Sequence, residues 1–325
     1  MGQPDARGTL VAGPLADVSI AYKNRNYIAD RVFPLIDNVP LDAKIARYLK
    51  GAWFRDEAGI RGPGSRAKRG GYPTDFISLA VQEYAFAKEV TDEDKEIALM
   101  QGAAPLKPDQ DALEFCSDKI DLKKERLVAN MILTGTWSGI AAGEDAGGLW
   151  AAGGGNTFLA DVRARKEYIR SQTGMVPNVM WIDYGTYNSL KEESTVLDKI
   201  KYTEKAILTK DLLAAIIELD EVIIGEAVLS TAVEKKDGTD FTASNIWEKN
   251  AGKGSAFLYF RPRAAGLKTP SAGYQCRTKI NGAPRRVMTW REEAEHQDVY
   301  EVAERTQLLQ VGADLGFLWV DTLLT

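Results

Sequence analysis

The chain is 325 residues long, with 41 Lys+Arg against 46 Asp+Glu and a single His, for a net charge of −5. At 45% hydrophobic and 27% charged residues it has the composition of a folded protein, which excludes wholesale disorder and a membrane-embedded chain as starting points. The mild acidity also speaks against gripping nucleic acid by phosphate neutralisation, and at roughly 100–200 residues per domain the length predicts about two domains or one elaborated domain.

Residues 1–48 read as an extended arm, because Pro34 and Pro40 block any long helix around NYIADRVFPLIDNVP. Tyr27, Ile28, Val32, Phe33, Leu35 and Ile36 make it too apolar for a solvated tail, so it must lie on a surface, its own or a neighbour's. The run from Lys44 to Gly59 has strand composition, and Phe76 to Val90 is predicted to return beside it. The Gly- and Pro-rich connector IRGPGSRAKRGGYP cannot form a core, so two strands of about 10 residues would project a hairpin about 33 Å long. Lys50, Arg55, Arg61, Arg66, Lys68 and Arg69 against Asp56 and Glu57 make it a basic protrusion on an acidic protein.

A helix of about 37 Å is predicted from Asp109 to Leu133, with an apolar stripe of Leu113, Cys116, Ile120, Leu127, Val128, Met131 and Ile132 and a capping box of Asp111 and Glu114. Eight glycines from Gly135 to Gly155 predict a flexible loop. A second helix is expected over Thr157 to Thr173, capped by Asn156, stopped by Gly174, and packing through Leu159, Val162 and Ile169. Residues 175–270 then alternate: VPNVMWID, DEVIIGEAV and SAFLYF as strands, GTYNSLKEES and LTKDLLAAIIEL as helices, together a mixed α/β unit. From Gly273 onward YQCRTKI, RRVMTWREEAEHQDVYEVAE, TQLLQV and LGFLWVDTLL read as strands, the closing one, ending in Leu323 and Leu324, apolar enough to be buried.

The inventory of reactive groups is thin. Cys116 and Cys276 are far apart, without Cys-x-x-Cys spacing, which excludes a disulfide framework or zinc ribbon and predicts two small buried hydrophobes in a reducing compartment. The N-terminal residues carry no secretory signal, and the longest aliphatic run, Leu212 to Ile217, falls far short of the ~20 residues that span a bilayer. His296 stands among acids on a predicted strand as a surface histidine, and no G-x-S-x-G is present. In WEKNAGKGS, Lys253 is followed by Gly254 where a phosphate loop needs Ser or Thr, and AAGGGNT has no Lys. The acids of TDEDKE lack calcium-loop spacing and mark a solvated helix start. No catalytic, metal or cofactor residue is therefore expected. Acids Glu292, Glu293, Glu295 and Asp298 instead complement the basic Arg61, Arg66, Lys68 and Arg69, which suggests matching surfaces on copies of one chain, with Tyr27, Ile28 and Phe33 of the arm as further inter-subunit contacts.

Taken in order, NYIADRVFP, the basic hairpin with EYAFAKEVTDED, the amphipathic helix near Asp111, TGMVPNVMWIDYGTYNSLKE, LDKIK, VIIGEAV and NIWEK resemble the major capsid proteins of tailed bacteriophages, with the Hong Kong 97-type fold. The resemblance implies an α+β fold with an N-terminal arm (1–48), an extended β-hairpin loop (49–82), a peripheral domain (83–174, with a spine helix at about 109–133), an axial α/β domain (175–270) and a second part of the peripheral domain (271–325). It implies a structural protein without catalysis or cofactor that self-assembles into pentamers and hexamers of an icosahedral head enclosing double-stranded DNA. Its site would be the virion capsid, assembled in the host cytoplasm and away from membrane, with itself, a portal protein and a decoration protein as partners. A separate scaffolding protein is expected, since the arm-like sequence starts almost at Met1. Lys68 lies where some relatives crosslink covalently, but no surrounding motif carries that chemistry over. The alternative is an encapsulin-like shell around a protein cargo; an α/β enzyme built on 175–270 has no site residues to support it.

Overall fold

The computed structural model describes residues 23–99, 107–153, 155–200, 208–233, 240–266 and 268–323, so the start of the expected arm and Leu324 lie outside the described residues. Helix α1, Ala29–Val32, is a single turn. It stops where Phe33, forced to an extended conformation by the Pro34 ring, leads into β1, Leu35–Asp37. Strand β2, Asp42–Tyr48, pairs antiparallel with β3, Thr74–Ala80, and between them stands one helical turn, α2, Lys50–Trp53. This corrects two expectations. The strand expected to run to Gly59 ends at Tyr48, so the paired hairpin is seven residues, or about 23 Å, long. The return segment also breaks at Val81, whose amide donates to the Leu41 carbonyl, and β4, Gln82–Thr91, enters another sheet. The hairpin thus begins at Asp42, inside the span expected for the arm.

After α3, Asp92–Leu99, helix α4 runs from Pro108 to Thr134, about 40 Å. Pro108, with its φ preset for the first turn, starts the helix ahead of the expected Asp111 capping box, and no side chain caps it. Its buried face is Ala112, Cys116, Ile120, Lys124, Glu125, Val128, Ala129, Ile132 and Leu133, so two charged residues sit within the apolar stripe. The glycine-rich segment that follows is anchored where a flexible loop was expected. Strands β5, Thr136–Trp137, and β6, Ile140–Ala141, form a small hairpin, then β7 spans Glu144–Asp145. Trp137 and Trp150 are fully buried, their indole N–H groups donating to the Ile132 carbonyl (2.9 Å) and to Asp161 (2.8 Å). Gly143 has φ +90°, and a Cβ there would stand 2.9 Å from Leu318. Helix α5, Phe158–Thr173, is capped as expected by Asn156, whose side-chain oxygen accepts from the Phe158 amide (3.0 Å), and it ends at left-handed Gly174.

The α/β block supplies β8 (Val179–Asp183), α6 (Tyr184–Lys191), α7 (Ser194–Ile200), α8 (Lys210–Ile216), β9 (Glu221–Gly225), the paired short strands β10 (Val228–Ser230) and β11 (Ala243–Asn245), and β12 (Ser255–Tyr259). The C-terminal segment adds β13 (Gly273–Thr278), β14 (Arg285–Glu292), β15 (Gln297–Gln310) and β16 (Gly316–Val320). TQLLQV, expected as a separate strand, is the second half of β15. His296 lies in the β14–β15 turn rather than on a strand, exposed and at φ +49°.

Two five-stranded sheets organise these pieces. The first has the order β7-β16-β12-β8-β9. All five residues of β8, β12 and β16 are buried, and they alternate between two cores. Met180, Ile182, Ala256, Leu258, Phe317 and Trp319 face α5, α6 and α8, whereas Val179, Trp181, Phe257, Tyr259, Leu318 and Val320 face α1, the end of α4, Trp137 and Trp247. Strands covered on both sides read as unbroken apolar runs, which is why β8, β12 and β16 are conspicuous in the sequence. The same fact corrects the boundary expected at residue 270: β16, expected among the C-terminal strands, pairs antiparallel with β12, because only a doubly covered position buries GFLWV completely. The second sheet has the order β1-β13-β15-β14, with β4 also on β15 and α4 packed across one face. No helix among the described residues is long and apolar enough to cross a membrane.

Candidate self-association surfaces

Three surfaces carry the residues singled out by the sequence. The arm is the first. Ile28 and Phe33 are buried in the chain's own core, which removes them as contacts open to a neighbour, and Tyr27 is half-buried with its hydroxyl donating to Asp118 (3.0 Å). Burial pushes the Tyr27 phenol up to about 12. The clamp is a residue the sequence reading missed. The fully buried Glu125 carboxylate accepts from the amides of Ile28 (3.0 Å) and Ala29 (2.8 Å) at the start of α1 and from the Trp247 indole N–H (2.6 Å). Burial raises its carboxyl above the usual range, opposed by those three donors. Beside it the buried Lys124 pairs with Asp30 and with Glu304 (3.3 Å), and Glu304 accepts from Arg285 (2.7 Å). The Tyr259 hydroxyl donates to the Val32 carbonyl (2.8 Å), and Asn24 exchanges hydrogen bonds with the backbone of Val228. One sequence signal existed: Lys124 occupies the middle of the four-residue series Cys116, Ile120, Val128, Ile132, where a solvent-facing charge does not belong.

The hairpin tip is the second surface, and every residue from 53 to 76 is exposed. Arg61 donates to the Ser65 carbonyl (2.6 Å), while Arg66, Lys68 and Arg69 form no ion pair among the described residues. The base is fastened to the body. Tyr48, Trp53 and Tyr72 gather with ring centroids 5.6–6.1 Å apart, Lys268 lies over the Tyr48 and Trp53 rings at 5.1 and 5.4 Å, and Lys50 pairs with Asp314.

The third surface is the turn between β14 and β15, where Glu292, Glu293, Glu295 and Asp298 come together at one tip. They are not equivalent. Asp298 is held below the usual carboxylate range by Lys95 and also meets Arg291 (3.5 Å), so it is engaged within the chain. Glu292 accepts from Gln297 (2.7 Å) and Trp290 (3.2 Å), which lowers its carboxyl, and its neighbourhood raises that of Glu295. Glu293 is 84% exposed and meets Arg291 only at 3.7 Å. Among the described residues no ion pair joins these acids to the basic tip of the same chain.

Sites for chemistry are sparse by comparison. Cys116 and Cys276 are buried, and desolvation pushes the Cys276 thiol up to about 11, away from the reactive thiolate. Among the described residues no group of His, Cys, Asp and Glu side chains is arranged to hold a metal ion. An open cleft of about 360 Å³ at Asn178, Asp220, Glu221, Arg261 and Arg263 is bridged by an Arg261–Glu221 ion pair of 2.5 Å.

A doubly covered mixed sheet, a second sheet under one long helix, a clamped arm and a basic hairpin together form the Hong Kong 97-type fold of phage capsids. The capsid protein of cyanophage P-SCSP1u is similar with a TM-score of 0.61 at 11% identity, covering 98% of each chain. A phage-related protein from Bordetella bronchiseptica is similar at 0.65 and 21% identity, covering 98% of this chain and 95% of that one. In sequence, this chain is 27% identical to the major capsid protein of Burkholderia phage BcepMu, covering 94% of each. The resemblance to the tailed-phage major capsid proteins therefore stands. An encapsulin of Synechococcus elongatus shares the fold at 0.50 and 11% identity, over 99% of this chain and 97% of that one. No family model matches the chain.

Proposed function

We propose that this chain is the major capsid protein of an icosahedral phage head, assembling as pentamers and hexamers around double-stranded DNA, with a structural role and no catalysis. The observation that carries the reading is the hairpin tip: Arg66, Lys68 and Arg69 stand in solvent on a protein of net charge −5 and form no ion pair with their own chain among the described residues. Such charge is suited to a neighbouring copy, and the outward acids of the β14–β15 turn, Glu293 and Glu295, are the acceptors we assign to it. Each contact is modest, and a closed shell repeats it on every subunit. In this reading 1–41 is the arm, 42–80 the extended loop, the sheet with β16 the axial domain, and α4 with the sheet of β15 the peripheral domain. A scaffolding protein and a portal are the further partners, and assembly takes place in host cytoplasm.

The test is reversal of Arg66, Lys68 and Arg69 to Glu, followed by electron microscopy of particles. Folded subunits without shells are expected; normal shells would reject the hairpin's role. The fold shared with an encapsulin keeps a second reading, a compartment around a protein cargo. Genome-length DNA in purified particles supports the phage head, and a constant protein cargo without it supports the compartment.

A further inference from the structure

Strand β14 is an edge. It pairs with β15 along an unbroken register from Arg285↔Glu304 to Glu292↔Gln297, and among the described residues no strand pairs with its other side. Which backbone groups face that open side follows from one hydrogen bond. The His296 carbonyl accepts from the Asp92 amide (3.0 Å), one step beyond the pairing of Gln297 with Thr91 in β4. Hydrogen-bonding direction alternates along a strand, so the odd residues of β15 are bonded towards β14, to Arg286, Met288, Trp290 and Glu292. Arg285, Val287, Thr289 and Arg291 are left presenting amides and carbonyls outward.

Natural edges are blunted by proline, bulges, short length or charged side chains, and here the charges, Arg285, Arg286, Arg291 and Glu292, stand only at the two ends of the strand. This edge has eight residues, no bulge, and no proline between Arg285 and Glu292. Its middle is apolar and open: Val287 is 57% exposed, Met288 43% and Trp290 37%. Its terminal arginines are held by the chain's own acids, Arg285 by Asp121 and Glu304 and Arg291 by Asp92, so the strand is presented rigidly.

We infer that β14 pairs antiparallel with β14 of a second copy across a twofold axis at Thr289, an inference that rests on the shell reading above. Because bonded and non-bonded pairs alternate, a twofold pairing must set one residue opposite itself. Centring on Met288 would oppose Arg285 to Arg291, like against like. Centring on Thr289, whose amide and carbonyl face outward, opposes Arg286 to Glu292 and Met288 to Trp290, a sulfur–aromatic match. Charge complementarity thus selects the register as well as the partner.

The experiment uses full-length protein in assembled particles, with Thr289→Cys or Val287→Cys as the only substitution. Both native cysteines are buried, so a disulfide-linked dimer reports the introduced thiol. In the proposed register the two Thr289 Cα atoms lie about 5.5 Å apart, within disulfide reach, and the two Val287 Cα atoms roughly 14 Å apart, outside it. Mild oxidation is expected to convert Thr289→Cys to dimer and to leave Val287→Cys monomeric on a non-reducing gel. Intact particles in which Thr289→Cys stays monomeric, or in which both variants dimerise equally, would overturn the pairing while leaving the shell reading in place. A crosslink from Thr289→Cys that forms only when a second cysteine is placed in β2 would assign the edge to a neighbour's hairpin and likewise overturn it. A wild-type chain that never forms particles would sink both.

Discussion

Two segments of this chain look alike as sequence and end in opposite states. Residues 24–37 and 53–76 both lack regular periodicity, and both carry Pro as a helix breaker. The first is sealed against the body by Glu125, Tyr259, Gln275 and Val228; the second is exposed at every position. The difference lies in what each can bury. Ile28, Val32 and Phe33 gain free energy by leaving water, and a buried carboxylate satisfies the amides they bring along. Residues 61–71 at the tip offer mainly Gly, Arg and Lys, and their cations form no ion pair among the described residues that would offset burial inside one chain. An irregular segment in a self-assembling protein is thus assigned inward or outward by its side chains.

The largest test of this contrast is Glu125→Ala. It leaves three buried donors without an acceptor, and by analogy with broken buried polar networks it is expected to destabilise the fold by about 3–5 kcal/mol, read from urea unfolding. The companion Glu125→Gln sharpens the cause. Because burial raises the Glu125 carboxyl above its ordinary 4.5, the folded chain binds that proton more tightly than the unfolded chain. Its contribution to stability is therefore fully present below the ordinary value and lost as pH rises through the raised one, and the penalty of Glu125→Gln should shrink over that window. A penalty that grows with pH would reverse the assignment.

At the hairpin base the expected effects are smaller. Trp53→Ala removes a half-exposed ring from the Tyr48, Tyr72 and Lys268 cluster and should cost about 1 kcal/mol. Lys50→Ala removes an exposed pair with Asp314, expected within ~1 kcal/mol. At the tip, reversing Arg66, Lys68 and Arg69 should leave monomer stability within about 0.5 kcal/mol while abolishing shells. A large loss of stability there would mean that the tip is held within its own chain after all.

Much of the fold was legible from periodicity. Helix α4 announced itself through Cys116, Ile120, Val128 and Ile132, and β8, β9 and β12 through short apolar runs between turn residues. The basic tip was equally plain, since exposure of Arg66, Lys68 and Arg69 needs no partner to explain it. The misses share one cause. The break at Val81, the membership of β16 and the clamp at Glu125 each depend on a partner distant in sequence, and single-sequence patterns record only neighbours along one element.

From the order of residues alone came the helix, the apolar strands, the absence of a nucleophile or metal motif, and the separation of basic hairpin from acidic turn that a net charge of −5 conceals. These are local properties, set by periodicity, propensity and charge. Folding in three dimensions added which sheet closes on the C-terminal strand, which apolar residues of the arm are withdrawn into the core, and which edge, at β14, is left open. Those are outcomes of competition for buried surface between segments far apart in the chain, and the competition has no winner until all of them are packed together.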